Sequence, residues 1–188
     1  MTGLGKPVWL LDIDGVVNAI SKKPPTYLWA ADKWIQTTVA NVHGEWPILT
    51  ARPVVDFINE IHHLGRAEVR WHTTWQEEAL DFADAVGLGG FKVAEAPEYH
   101  EYGPRFMARQ IAGQKPTWWK LPAAERVIED ERRPLLWTDD DIGWELRNHR
   151  WNPIELGTVS PDAATGLMPK HLKMIDKWLK EWEESDDV

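Results

Sequence analysis

Three short stretches carry oxygen-bearing side chains of the kind that hold metal ions and phosphate: Asp12-Ile13-Asp14-Gly15, Thr73-Thr74 and Asp139-Asp140-Asp141. Each follows an apolar run that reads as a buried parallel strand: VWLLDI at 8–13, AEVRWH at 67–72 and PLLWT at 134–138. The polar groups thus stand where strands would deliver them at a carboxyl edge. Carboxylates crowded at one edge repel, and a hard cation such as Mg2+, which takes oxygen ligands, is the natural reason to gather them. The competing explanation for any one stretch is that Asp and Thr merely cap the helix that follows. What separates the two is whether the stretches meet in space.

The elements between them say how they would meet. Residues 18–32, with Lys22, Lys23, Pro24 and Pro25, read as loop, and 33–50 alternates around His43-Gly44 as a hairpin flap over one edge of the domain. Val54, Val55, Ile58, Ile61 and Leu64 keep helical spacing up to Gly65, and 75–87 is an amphipathic helix closed by Gly87. A third strand is expected at 91–95. An irregular connection with one helix around 105–111 is expected over 96–118, and a helix over 118–130. After the fourth strand come a loop and short helix at 139–150 and a fifth strand at 152–159. A final helix at 168–184 carries Leu172, Ile175, Leu179 and Trp182 on one face, and 185–188 reads as a frayed tail. Strands alternating with helices predict a three-layer, Rossmann-like α/β fold with a mainly parallel five-stranded sheet. All of 1–188 is expected to form one domain, with 18–50 as a loop and flap insertion. In such sheets ligands bind beyond the carboxyl ends of the strands, where the strand order switches.

Composition narrows the chemistry. The 188 residues are ample for a hydrophobic core, and with no cysteine there is no disulfide framework, thiolate zinc site or cysteine nucleophile. Lys and Arg number 21 against 30 Asp and Glu, and the net charge of −9 argues against a general nucleic-acid coat, though not against an enzyme that touches one phosphate. The apolar runs are too short to cross a membrane. Asp12 and Asp14 interrupt the N-terminal apolar stretch, so no signal peptide is expected and the protein reads as cytoplasmic. The 13 Trp outnumber Phe and Tyr together, and indole serves equally as core and as ligand platform.

Asp12-Ile13-Asp14-Gly15-Val16-Val17-Asn18 resembles the first motif of the haloacid dehalogenase-like superfamily, an apolar strand followed by D-x-D-G. Thr73 in WHTTW resembles the second motif, Lys120 in TWWKLPAAERV the third, and LLWTDDD at 135–141 the fourth. All four occur in the family's order. The W-x-T-x-W and K-L-P-A elements are similar to the small domain of that superfamily found in Swiss Army knife RNA repair proteins. The resemblance implies a Mg2+-dependent phosphatase working through an aspartyl-phosphate. Asp12 would be the nucleophile and Asp14 the general acid and base, whose presence favours phosphate esters over carbon–halogen bonds. Thr73, Thr74, Lys120 and the backbone at Gly15 would hold the phosphoryl group. The ion would sit on the Asp12 carboxylate, the Asp14 carbonyl and one acid of Asp139 and Asp140, with a one-residue shift to Asp141 left open. Lys115 is the rival for the lysine role, but it precedes Pro116 and reads as loop, whereas Lys120 opens a helix.

The 47 positions from Thr73 to Lys120 are already filled by predicted elements, which leaves no room for a large cap. An open site of this kind suits protruding esters, such as nucleotides or nucleic-acid end phosphates. Lys22, Lys23, Lys33, Arg105 and Arg109 would then supply a basic rim, with Trp29, Trp34 and Trp118 for base stacking. The expected partner is a phosphorylated substrate, small molecule or nucleic-acid end, with no membrane and no obligate protein partner. From other classes come a non-catalytic module that binds phosphate or protein, and a phosphotransferase. His62-His63 reads as surface and packing, and the glycines at 3 and 5 and at 87, 89 and 90 read as turns, fitting no nucleotide-loop pattern.

Overall fold

The computed structural model describes residues 5–41, 44–94, 118–149 and 153–186. Five strands, β1 (Val8–Leu11), β4 (Glu68–Trp71), β5 (Lys92–Val93), β6 (Leu135–Thr138) and β7 (Leu156–Val159), form one sheet in the order β5-β4-β1-β6-β7. Every pairing in it is parallel. The remaining strands, β2 (Trp34–Asn41) and β3 (Gly44–Ala51), make a separate antiparallel hairpin. Among the described residues the α-helices are α1 (Arg52–His63), α2 (Ala79–Val86), α3 (Leu121–Glu129), α4 (Ile142–His149) and α5 (Pro169–Asp186). This is an α/β architecture of the Rossmann-like kind, with the order switching at β1.

Alternation along the strands assigns the two faces of the sheet. Trp9 and Leu11 of β1, Trp71 of β4 and Leu136 of β6 share a buried cluster with Val55, Ile58 and Ile61 of α1, Phe82 of α2 and Ile175 and Leu179 of α5. Val8 and Leu10 of β1, with Leu135 and Trp137 of β6, pack on the other face with Leu121, Ala124 and Val127 of α3 and Ile142 of α4. Such strands must be apolar on both faces, which is why β1 is a continuous hydrophobic run. The indole of Trp178 on α5 lies against Gly157 of β7, where even a Cβ would come within 2.5 Å of its Nε1. No helix among the described residues is long and apolar enough to cross a membrane.

Departures from the sequence expectations are local. The expected hairpin forms, and it is seated as well as exposed: Val39, Ile48 and Ala51 join the core with α1 and α2, while Gly44–Pro47 stand exposed. The helix expected from residue 75 opens with a 3-10 turn, Gln76–Glu78, and becomes α-helical at Ala79. Of the expected tail, Ser185 and Asp186 continue α5 and 187–188 lie outside the described residues; Arg66 binds Asp176 at 2.9 Å and Glu183 at 2.5 Å, tying α5 to the body. The hairpin turn at 42–43, Glu95 of the third expected strand, and the connection over 96–117 with its expected helix lie outside the described residues. So do Arg105, Arg109 and Lys115.

Candidate active site

Backbone pairing continues one rung past the strand ends. The Asp12 N–H donates to Thr138 O at 3.1 Å, His72 N–H to Leu11 O at 2.8 Å, and Asp139 N–H to Val159 O at 3.1 Å. Asp12, His72 and Asp139 therefore stand level at the carboxyl edge. Counting by twos from Leu10, Arg70 and Trp137 turns all three toward the face that α3 covers. Lys120 caps the start of α3 on that face.

The result is a buried charge cluster. The Lys120 ammonium lies 2.5 Å from Asp12 Oδ2 and 2.5 Å from Asp139 Oδ2. The other oxygen of each acid takes a backbone N–H, Ile13 to Asp12 Oδ1 at 2.7 Å and Asp141 to Asp139 Oδ1 at 3.0 Å. Asp140 completes a group whose carboxylate oxygens, with those of Asp12 and Asp139, lie within 4.8 Å of one another. Asp141 is exposed and is not in that group; its N–H serves Asp139, and its carboxylate adds negative charge beside Asp140. Gly15 has φ +73°, and a Cβ there would come within 2.4 Å of Asp140 Oδ2. Only glycine both adopts that turn and leaves the carboxylate its place.

Three carboxylates share one ammonium, and their proton affinities record the imbalance. Burial, then the neighbouring charge of Asp12, pushes Asp139 up to about 7. Burial, Asp12 and Asp141 push Asp140 up to about 6. Burial also raises Asp12 against the pull of Lys120. For Lys120 burial acts downward, but Asp12 and Asp139 outweigh it and keep the ammonium charged. The donor set is all oxygen and carries surplus negative charge, which is what a hard divalent cation requires. Asp12, Asp139 and Asp140 fit such an ion.

Asp14, half-buried, stands beside this cluster with both oxygens engaged. Asn18 Nδ2 donates to Oδ1 at 2.8 Å and Trp75 Nε1 donates to Oδ2 at 2.8 Å. Asn18 in turn accepts the Leu49 N–H at 2.8 Å, tying the site to β3. Trp75 is held by Phe82 and by Trp46 on the hairpin. Sequence reasoning quoted Asn18 and Trp75 inside motifs without giving them this task; the available signal was their spacing, four residues after Asp14 and two after Thr73.

Thr73 is fully buried, and its hydroxyl accepts the Trp75 N–H at 3.4 Å and weakly lowers the proton affinity of Asp12, whereas Thr74 is exposed. Gln76, at φ +50°, folds its amide back onto Thr73 O at 2.7 Å, so the turn after β4 is braced from both ends. His72, unremarked in the sequence, is buried between Trp119 and Trp137 with neither ring nitrogen hydrogen-bonded among the described residues. Burial, and then the charge of Lys120, holds it neutral, well below the usual histidine range.

The tryptophans expected to stack on bases are half-buried and pack against the core. Trp118 stacks on Trp137, at 5.0 Å and 7°. Trp29 and Trp34 pack against the core, their N–H groups on Leu167 O and Trp29 O. His62 and His63 are exposed, and His62 lies against Phe91. Compared with family models, curated proteins and solved structures, the chain finds no match.

Proposed function

We propose that this chain is a Mg2+-dependent phosphatase of the haloacid dehalogenase-like kind, acting on phosphate monoesters such as nucleotides or nucleic-acid end phosphates. The observation that carries this reading is the buried Lys120 between Asp12 and Asp139 at a parallel sheet's carboxyl edge, with Asp14 two residues on and held separately. Asp12 attacks phosphorus, and the bond to the ester oxygen breaks as Asp14 gives that oxygen its proton. Asp14 then takes a proton from water, which attacks phosphorus and releases Asp12 and inorganic phosphate. In the free protein both Asp14 oxygens accept hydrogen bonds, so its donor role requires one partner, Asn18 or Trp75, to yield when substrate enters. Lys120 neutralises the phosphoryl charge beside Asp12, and Thr73 offers its hydroxyl to a phosphoryl oxygen. A Mg2+ ion on Asp12, Asp139 and Asp140 would supply Lewis-acid stabilisation of that charge.

The test is p-nitrophenyl phosphate hydrolysis with Mg2+ and with EDTA. Turnover should require the metal and should fall by at least about a thousandfold in Asp12→Asn. Turnover that survives in Asp12→Asn, or in EDTA, refutes the reading. Asp14→Asn should lose about a hundredfold or more with alkyl esters and far less with p-nitrophenyl phosphate, since a good leaving group needs little protonation. Equal losses would remove the acid role from Asp14.

A further inference from the structure

A cavity of about 790 Å3 opens between the hairpin and the loop that follows β1, with Asp14 and Trp75 in its wall. On the phosphatase reading, on which this inference rests, a general acid must reach the oxygen it protonates. The group leaving phosphorus therefore departs into the space that borders Asp14, and this cavity is that space. Its size is that of a site for a nucleoside-sized group, and a three-carbon polyol would leave most of it unfilled.

The lining gives the chemical character of that group. Asp14 is the one carboxylate and Lys22 the one cation along it; the rest, among the described residues, is hydroxyl, amide and apolar. An anionic group placed directly against Asp14 would be repelled, so the part of the leaving group nearest the acid is uncharged. Trp46 reaches the cavity from β3, is 44% exposed, and meets Trp75 edge-on at 6.4 Å. Trp75 is itself fixed by its N–H on Asp14. An indole thus stands at a set distance from the acid, and Thr37 of β2, which lines the cavity and shares the hairpin face of Trp46 because it pairs with Ile48 while Val39 pairs with Trp46, offers a hydroxyl alongside. A planar, uncharged heterocycle with hydrogen-bonding edges matches all three features.

We propose that the ester is a nucleoside monophosphate, free or at a nucleic-acid end, whose base stacks on Trp46 while its edge meets Thr37. The test compares adenosine 5′-monophosphate, a 5′-phosphorylated oligonucleotide and ribose 5-phosphate as substrates of the Mg2+-loaded protein, and measures adenosine binding by calorimetry. The nucleotide should exceed ribose 5-phosphate in kcat/KM by about tenfold or more, the worth of one stacked base. That ratio should collapse toward one in Trp46→Ala and persist in Trp46→Phe. Adenosine, which has no phosphate to lose, should bind the wild type and Trp46→Phe but not Trp46→Ala. A wild type that hydrolyses both esters equally and ignores adenosine overturns this inference and leaves the phosphatase reading standing. Adenosine binding through Trp46 with no ester hydrolysed does the reverse. Whichever nucleotide substrate is faster, free or oligonucleotide-borne, identifies the source of the base; a preference that survives in Trp46→Ala refutes the role of Trp46.

Discussion

The sheet carries a charged cluster at each end, and the two are built on opposite principles. At the amino edge Glu68 of β4, Arg70, Glu131 and Arg133 match two carboxylates with two guanidinium groups. Arg70 binds Glu131 through both nitrogens at 2.7 and 2.8 Å and Glu68 at 2.9 Å, and Arg133 reaches Glu68 at 2.6 Å. The hydrogen bond from Arg70, with help from Arg133, holds Glu68 down at about 2 although burial acts against it. At the carboxyl edge burial and unbalanced charge do the reverse, and Asp139 and Asp140 rise to about 7 and about 6. The amino-edge cluster is complete without a ligand. The carboxyl-edge cluster has more negative charge than the described residues neutralise, and an incomplete buried cluster in a folded protein signals a site rather than a strut.

The sharpest way to break this comparison is to remove one cation from each cluster. Lys120→Met should cost about 3–5 kcal/mol, because it leaves buried carboxylates without their ammonium. Arg70→Met should cost no more than about 1 kcal/mol, since Arg133 still serves both partly exposed acids. Thermal melts of the metal-free proteins decide it, and equal losses would erase the distinction.

Gly15→Ala probes how finely the carboxyl edge is shaped. The left-handed backbone alone costs about 1–2 kcal/mol, and the added methyl would displace Asp140. The stabilisation of the wild type by Mg2+ in a melt should therefore vanish in this variant; an undiminished response would show that Asp140 is not a ligand.

The smallest effects, and the most diagnostic in sign, come from neutralising one acid at each end. Asp140→Asn should raise metal-free stability at pH 7 by on the order of 1 kcal/mol, since it removes a half-buried charge that the fold disfavours. Glu68→Gln should lower it by less than about 1 kcal/mol. The pH dependence fixes the second sign. Glu68 is depressed from 4.5 to about 2, so its contribution is full above pH 4.5 and is lost as pH falls toward 2. Glu68→Gln should flatten acid unfolding over that window, and an unchanged acid limb would mean that the amino-edge pairs contribute nothing.

Much of this arrangement was legible in the residues. The runs before Asp12 and Asp139 read as strands because each is hydrophobic on both faces, that before Thr73 because Val69 and Trp71 alternate with Glu68 and Arg70, and alternation with amphipathic helices made the sheet parallel. Helix-start reasoning placed Lys120 at the head of α3, where the structure also has it. Tryptophan roles were not legible, because an indole in a core and an indole at a cleft look alike in sequence. Trp29, Trp34 and Trp118 pack half-buried against the core, while Trp46 and Trp75 wall the cavity. The engagement of Asp14 was equally hidden, since its partners Asn18 and Trp75 are set by a turn and by the packing of α2.

The sequence by itself determined the elements and the edge at which their polar ends gather, because strand and helix periods are local and the end of a buried strand fixes where its next side chain emerges. Only the tertiary structure decided that Asp140 joins the charge cluster and Asp141 does not, that Asp14 is held from two sides, and which indole faces the cavity. Those outcomes depend on register between strands distant in sequence and on how the hairpin seats against α2, neither of which any local window of residues contains.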